Sequence, residues 1–243
     1  MNTLSPEDVA SYQTNGYYLY HQQVFPKDKL ETLNGIFEEH LAEKGSLLSD
    51  ELDTPHFRDP RLLDFLLSAE PLDLVEPIIG PNIGLWSSHF ISKDPYTGRE
   101  TPWHEDSAFW NGRISSFDKI ITIWLAIDPS DAENGCMRVI PGTHSNGFSD
   151  YHEVDMKYNT FEKAIPNVDE SKAVNFELAR GEASLHDSRI IHGAKANTSP
   201  RRRCGYTMRY FSTEARVLPE RNQGHKIWLA RGKDIAGNNF ENA

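Results

Sequence analysis

The sequence is poor in cysteine and in long apolar runs, and each lack excludes a class of protein. Its only cysteines, Cys136 and Cys204, are too few for a disulfide framework, so a reducing compartment is expected. No apolar run approaches the length of a transmembrane helix. Residues 1–16 are polar without a signal-peptide core, and the final Glu241-Asn242-Ala243 is no peroxisomal signal. We therefore expect a cytoplasmic protein.

Positive charge is also scarce. Lys and Arg number 25 against 36 Asp and Glu, a formal net charge of -11. Surfaces that bind phosphate need clustered Lys and Arg, so neither nucleic acid nor an anionic membrane is expected as a partner. We expect a small-molecule substrate instead. Aromatic residues, in contrast, are plentiful, with 12 Phe, 9 Tyr and 5 Trp among 243 residues. They predict a sizeable folded core.

The first third of the chain is patterned for helices. Ser5 and Pro6 are a typical helix start, and Gly16 can end that helix before a short strand over residues 17–20. A second helix is predicted from Lys27 to Gly45, and one or two short helices are predicted over residues 61–79. The apolar face of the second helix consists of Leu30, Leu33, Ile36, Phe37 and Leu41.

From Ile83 onward the pattern changes to short runs of β-branched and aromatic residues separated by turn residues. A long polar stretch, residues 145–171, is predicted to be a loop that acts as a lid. The candidate strands are residues 84–93, 120–127, 136–140, 174–178, 183–192 and 204–216.

Helices followed by many short strands predict a mainly β fold, a double-stranded β-helix (jelly roll, cupin-like) with N-terminal helices packed on one sheet. We expect one domain over residues 1–243, since no linker-like stretch interrupts the chain. Within it, residues 1–82 would be a helical buttress, 83–217 the jelly-roll core and 218–243 a C-terminal segment.

A His-x-Asp pair, His104 and Asp106, is the first chemical motif in the strand-rich region. Side chains alternate along an extended strand, so these two point the same way and Glu105 points the other. An imidazole beside a carboxylate provides two of the three ligands of the facial triad that holds non-haem Fe(II) with coordination positions left open. Alone the motif is weak, because a chain with 10 His can contain it by chance.

His192, which ends the predicted strand 183–192, is the candidate third ligand. A turn-rich stretch follows, and a hairpin centred between Asn197 and Thr198 would place His192 opposite Arg203. The pairing has a chemical purpose, because 2-oxoglutarate chelates iron through its keto acid end and its far carboxylate then needs a fixed partner. Arginine grips a carboxylate with two parallel hydrogen bonds, which lysine cannot do.

Two alternatives compete with these assignments. Arg203 also belongs to the run Arg201–Arg203, for which a solvated surface is the alternative explanation. We favour the ligand role, and strand alternation turns Arg202 away from the cavity. His186 lies six residues before His192, on the same face, and is the rival third ligand. The same hairpin would place Arg209 opposite His186, so packing in the barrel or support behind the metal is the preferred role for this histidine.

These residues resemble the phytanoyl-CoA dioxygenase superfamily of Fe(II)- and 2-oxoglutarate-dependent oxygenases. The resemblance spans roughly residues 93–210. Its most specific block is the Asn-Gly-Cys…Pro-Gly-Thr-His stretch within residues 133–144, together with an arginine eleven residues after the distal histidine. The other carrying segments are Pro102–Asp106 with Trp110, His186–Gly193 and Arg203.

The resemblance implies iron ligands at His104, Asp106 and His192 and a 2-oxoglutarate clamp at Arg203. It also implies cosubstrate contacts from Lys93 and Trp124. The chain departs from the family pattern at Glu105, where Gln is common, and at Ala194, where Ser is common. Neither position belongs to the triad.

Two further expectations concern single motifs. Asn134-Gly135 between apolar strands predicts a tight hairpin turn that shapes the barrel and does no chemistry. Trp110 and Arg113, just beyond the first two metal ligands, are candidates to line the substrate cavity, with packing as the alternative for each.

The expected activity is hydroxylation of an unactivated carbon of a small metabolite, with Fe(II), 2-oxoglutarate and O₂ consumed as cofactor and cosubstrates and succinate and CO₂ released. A zinc-dependent hydrolase or isomerase and a binding protein without catalysis are the competing classes. The acidic stretch 145–171 would repel the phosphates of a CoA ester, so a free molecule, neutral or amine-bearing, is expected as substrate.

Overall fold

The computed structural model describes residues 3–242. Within them, four of the α-helices precede Ile83 and the long strands follow it. The helices are α1 Pro6–Asn15, α2 Lys27–Ala42, α3 Leu63–Leu66, α4 Ala69–Ile79 and α5 Asp106–Phe109, and short 3-10 helices span Pro55–Phe57, Pro60–Leu62, Thr143–Ser145, Glu170–Lys172 and Pro219–Arg221. The strands are β1 Tyr17–Tyr20, β2 Leu52–Asp53, β3 Ile83–Lys93, β4 Thr101–His104, β5 Ile120–Ala126, β6 Met137–Val139, β7 His152–Glu153, β8 Lys163–Ala164, β9 Val174–Asn175, β10 Ala183–Asp187, β11 His192–Ala194, β12 Arg203–Ser212 and β13 Trp228–Arg231.

The strands form two principal antiparallel sheets. The larger has the order β1-β10-β5-β12-β3-β13, with β2 paired to β3, and the smaller has the order β4-β11-β6-β9. A separate pair, β7 and β8, lies in the stretch predicted as a long loop. This is the double-stranded β-helix that the sequence predicts. The division of the chain into one domain with the stated boundaries stays a prediction.

The predicted helix ends follow from capping. Ser5 and Asp8 form a reciprocal capping box at the start of α1, and Gly16 closes the helix with φ 81°, a conformation that glycine adopts without steric cost. The second helix ends at Ala42, capped by Glu43. The predicted end at Gly45 is therefore slightly too late.

The helices pack on the outer face of the larger sheet, as predicted. Phe37 of α2 lies 5.2 Å from Phe90 of β3, whose ring stacks at 4.2 Å on Tyr206 of β12 (centroid distances). Strand β5 is buried along its whole length, because alternate residues face opposite cores. Ile121, Ile123 and Leu125 join the helix-facing core, and Trp124 and Ala126 join the core between the two sheets.

The prediction of one strand over residues 183–192 is wrong. Strand β10 ends at Asp187, and the chain crosses to the smaller sheet before β11 begins at His192. Asp187 forms the crossing turn, since its carboxylate accepts hydrogen bonds from the main chain and the guanidinium of Arg189. The predicted hairpin is therefore absent from the described residues, and the Cα partner of Arg203 is Lys93.

Other boundaries changed less. Strands predicted at 136–140 and 174–178 are each shorter, and that predicted at 204–216 spans Arg203–Ser212. Asn134-Gly135 is not a hairpin turn, because β5 and β6 lie in different sheets. Asn134 is fully buried, and its side chain bonds the main chain of Asp131 and Pro129. No helix in residues 3–242 has both the length and the apolarity needed to cross a membrane. Both cysteines are free and buried.

Gly205 permits the closest approach within the larger sheet. A Cβ atom there would lie 2.0 Å from Cζ2 of Trp124 on the neighbouring strand, so any side chain must displace the indole. The main chain of Gly205 is paired on both sides, with Ile91 and Ala126, and cannot shift without disturbing two ladders. The position therefore fixes how Trp124 lies between the sheets.

We expect Gly205→Ala to destabilise the fold by about 1–3 kcal/mol, the cost of overpacking a filled core. Urea unfolding monitored by circular dichroism measures this. Gly35→Ala is the matched control, because Gly35 lies inside α2 with open space around its Cβ position. The control should stabilise the protein by about 0.5–1 kcal/mol. A Gly205→Ala protein as stable as wild type would contradict the packing around Trp124.

Candidate metal centre

Two histidines are brought together by pairing in the smaller sheet. His104 ends β4, His192 begins β11, and the two are register partners, so their rings lie side by side with centroids 4.1 Å apart. Asp106 opens α5 directly after the extended residue Glu105. One ligand atom from each of His104, Asp106 and His192 lies within 4.8 Å of the others, and all three residues are buried.

Main-chain carbonyls orient both imidazoles. His104 Nδ1 lies 2.8 Å from the Pro102 carbonyl, and His192 Nδ1 lies 3.0 Å from the Ile190 carbonyl. A carbonyl only accepts, so each Nδ1 donates and each Nε2 keeps its lone pair for a ligand. His104 Nε2 lies 3.8 Å from Asp106 Oδ1, so the free nitrogen and the carboxylate oxygen face the same space.

Arg209 and Thr122 hold the other oxygen of the aspartate. Arg209 Nε and the Thr122 hydroxyl each donate to Asp106 Oδ2 at 3.2 Å, which leaves Oδ1 for a metal. Burial would raise the pKa of Asp106, but the charge of Arg209 and the hydrogen bond with His104 hold that pKa well below its ordinary value. The carboxylate is therefore ionised at any physiological pH.

The donor set fits a divalent cation of the iron type. Burial, followed by the proximity of His104, lowers the pKa of His192 well below its ordinary value, so this imidazole is neutral. Two imidazoles and one carboxylate from three positions on one side of a cavity are the facial arrangement that non-haem Fe(II) takes. The residues present therefore suit Fe(II).

Glu105 faces away from the metal ligands, as strand alternation predicts. Its buried carboxylate accepts hydrogen bonds from the hydroxyls of Ser149 (2.6 Å) and Tyr151 (2.9 Å), and the Glu105 amide donates to the same Tyr151 oxygen. Glu105 thus anchors the 145–171 stretch beside the site. From that stretch Phe161 contacts His104, with ring centroids 4.8 Å apart.

His186 lies beside the triad but outside the ligand group. Its ring centroid is 5.1 Å from that of His192, and its Nδ1 is buried without a hydrogen-bond partner. The cause of its low pKa, about 4, is chiefly burial. Arg209, which we expected directly opposite His186, lies two strands away, because both residues pair with Thr122 of the intervening β5.

Arg203 is buried in the same cavity with much of its hydrogen-bonding capacity unused. Its Nη2 donates to the Gly135 carbonyl at 2.8 Å, its Nε has no partner, and its guanidinium lies 5.2 Å from the Trp124 ring centroid. No carboxylate in residues 3–242 forms an ion pair with it. Burial lowers the pKa of Arg203 to about 10, so the group stays cationic.

The ammonium group of Lys93 lies among main-chain carbonyls. Its main chain pairs with Arg203, but its ammonium group donates to the carbonyls of Arg99, Ala194 and Lys195. The side chain is completely buried among those carbonyls and does not line the cavity that contains the metal group. It holds the main chain after β11 in place, and its contact with the cosubstrate stays a prediction.

The site consists of an inner cavity of about 50 Å³ and an outer cleft of about 600 Å³. The inner cavity contains the metal group, Trp124 and Arg203, and the outer cleft contains Trp110 and Arg113. The two share His89, Asp106, Phe161 and Arg209.

Arg209 and Phe161 are site residues that reading the sequence missed. Arg209 was detectable. It is separated from Arg203 and Thr207 by even numbers of residues along β12, so strand alternation puts all three on the face that lines the inner cavity. Phe161 gave no local signal, since it lies in the middle of an irregular polar stretch.

The family model for phytanoyl-CoA dioxygenase (PhyH) matches residues 1–205. A phytanoyl-CoA dioxygenase domain-containing protein 1 homolog of Caenorhabditis elegans is 25% identical, covering 88% of this chain and 81% of that protein. Peroxisomal phytanoyl-CoA dioxygenase of Mus musculus is 28% identical, covering 89% and 71%. The non-heme alpha ketoglutarate dependent carbocyclase SnoK shares the fold, with a TM-score of 0.73, 22% identity and coverage of 91% and 89%. The chain belongs to the phytanoyl-CoA dioxygenase family and is an Fe(II)- and 2-oxoglutarate-dependent oxygenase.

Proposed function

We propose that His104, Asp106 and His192 hold Fe(II) and that Arg203, with Trp124 against its guanidinium, holds the distal carboxylate of 2-oxoglutarate in the inner cavity. The observation that carries this proposal is the unpaired, buried cation of Arg203 in the cavity that also contains the three metal-binding side chains. A buried charge without a counter-ion is costly, so its retention argues for an anionic ligand.

The chain's own residues orient the ligands and exclude water. When bound, iron with 2-oxoglutarate and O₂ supplies the oxidising chemistry. Arg209 and Thr122 hold one oxygen of Asp106, so the carboxylate presents the other to the metal. Phe161 lies over His104 and lines both compartments, where it limits water at the reacting centre.

We propose hydroxylation of a carbon of a small metabolite that enters through the outer cleft, with Trp110 as one wall. Trp110 is positioned by a cation–π contact with Arg209 (5.6 Å) and an edge contact with Trp86 (5.8 Å). The name of the mouse relative points to a CoA ester, but the cleft lacks the cluster of Lys and Arg that usually binds CoA phosphates. A free metabolite is therefore the proposed substrate. The two free, buried cysteines support a reducing cytoplasm as the location.

The metal ligands can be tested separately from catalysis. Apo protein given Fe(II) and 2-oxoglutarate without O₂ should develop the weak visible absorption band of the chelate. His104→Ala and His192→Ala should abolish it, because each removes an Nε2 ligand that neighbouring groups cannot replace.

His186→Ala is the matched control, since it deletes a buried imidazole next to the same cavity. The band should persist in this variant. Persistence in His192→Ala combined with loss in His186→Ala would show that the wrong histidine has been assigned.

Arg203→Lys should not behave as a conservative change, because an ammonium group cannot form the two parallel hydrogen bonds of a guanidinium. We expect 2-oxoglutarate to bind more weakly by about 1.5–3 kcal/mol, the scale of a hydrogen bond to a charged group. Anaerobic calorimetry with metal-loaded protein measures this change.

Arg201→Lys provides the control for that experiment. Arg201 is exposed and bonds Asp131 and Glu133 at the surface, so 2-oxoglutarate affinity should match wild type. Equal affinities in wild type and Arg203→Lys would remove the cosubstrate role from Arg203.

A further inference from the structure

The carboxylates of the outer cleft are mostly neutralised by ion pairs. Asp50 binds the Arg99 guanidinium through both of its oxygens, and Glu51 contacts the same guanidinium at 3.2 Å. Asp106 is paired with Arg209. Among the lining carboxylates only Asp53 forms no ion pair with an arginine or lysine of residues 3–242. Its side chain is 63% exposed and lies 3.7 Å from His89, and it acts on Arg113 only from beyond ion-pair distance.

Arg113 is the cleft cation that lacks a carboxylate partner. Its Nε donates to Asn222 Oδ1 at 2.8 Å, and Asn222 in turn donates to the Arg113 carbonyl at 2.7 Å. The guanidinium also lies 5.0 Å from the Trp86 ring centroid. Neither terminal nitrogen has a hydrogen-bond partner within residues 3–242. These three contacts position Arg113 and leave the N–H groups of its two terminal nitrogens free. Two parallel N–H donors are the arrangement that binds a carboxylate.

The acidic side chains of residues 145–171 do not line the cleft. Of residues 145–171 only Thr160 and Phe161 line either compartment, and both are uncharged. The expectation of a neutral or amine-bearing substrate rested on the acidic side chains of this stretch, which face elsewhere. The charges that a bound molecule meets are instead those of the cleft walls.

Aromatic side chains provide most of the apolar wall around Arg113. An apolar body can therefore lie between the guanidinium and the metal group, which the cleft meets at Asp106. The aromatic lining residues are Phe57, Trp86, Phe109, Trp110 and Phe161.

We propose that Arg113 binds a carboxylate of the prime substrate, which is therefore a small carboxylic acid whose apolar part extends along the aromatic walls towards Asp106. This inference rests on the proposed function, because it takes the outer cleft as the entrance to the iron site. It makes Arg113 a residue that determines specificity for the charged end of the substrate.

The test uses protein loaded with Fe(II) and saturating 2-oxoglutarate without O₂, so that Arg203 is already occupied. The probes are 3-phenylpropionate, its amide 3-phenylpropionamide, the amine 3-phenylpropylamine and 2-phenylethyl phosphate, each titrated by calorimetry. In wild type the carboxylate should bind roughly tenfold or more tightly than the amide and the amine, the difference that one charged hydrogen-bonded pair makes.

Arg113→Gln should abolish this preference. Arg221→Gln is the matched control. Arg221 is exposed, precedes Asn222 in the chain and does not itself line the cleft, so this variant should keep the preference. Arg113→Lys should keep part of the preference while losing affinity for the carboxylate, which separates loss of charge from misfolding.

Three outcomes overturn the inference: an amide or amine that binds wild type as well as the carboxylate, no binding of the carboxylate at millimolar concentration, or tighter binding of the phosphate ester. A preference that survives Arg113→Gln also overturns it. Failure of wild type to bind Fe(II) and 2-oxoglutarate would instead contradict the proposed function, so the two failures are distinguishable.

Discussion

A buried guanidinium without a counter-ion is the constraint around which this structure is built. Arg203 is 2% exposed, shares one hydrogen bond with the Gly135 carbonyl and rests on the face of Trp124. Such a cation costs free energy in the folded protein, and that cost is offset when a carboxylate enters. Gly205 fixes how the indole of Trp124 lies beside the strand that bears Arg203, because a Cβ atom at this position would collide with the ring. The packing of the larger sheet therefore determines the surroundings of the unpaired guanidinium.

At the other end of the same cavity, the buried charge is negative and is compensated within the protein. Asp106 is also buried, but Arg209 and Thr122 compensate its charge within the protein. The paired carboxylate can therefore stay ionised before any metal arrives. The two histidines need no such partner, because burial keeps His192 neutral and main-chain carbonyls fix both rings. Three side chains suited to hold a metal ion and one uncompensated cation thus lie in one cavity of the β-helix.

The metal group and Arg203 could be anticipated from residue types and spacing, but the geometry that joins them could not. The sequence suggested a hairpin that pairs His192 with Arg203, and the structure places them in facing sheets. The alternation of apolar residues over 183–192 fits one continuous strand and also fits two strands in different sheets. The turn at Asp187 therefore cannot be recognised from this pattern. Helix ends were easier to predict, because the Ser5–Asp8 capping box and Gly16 act locally. The site role of Phe161 could not be predicted from the sequence, because only tertiary packing brings this residue to His104.

Net charge misleads about this site for a physical reason. The chain carries a formal charge of -11, yet three arginines face the two compartments where the ligands would bind. Exposed carboxylates are screened by solvent and salt within about 8–10 Å, whereas a buried cation acts on its cavity almost unscreened. Arg209 is cancelled by Asp106, Arg203 is sealed in the inner cavity, and Arg113 keeps two free donors in the outer cleft. What matters for ligand choice is therefore which of these cations already has a partner. By that criterion the acidic surface of the protein and a preference for anionic ligands are compatible.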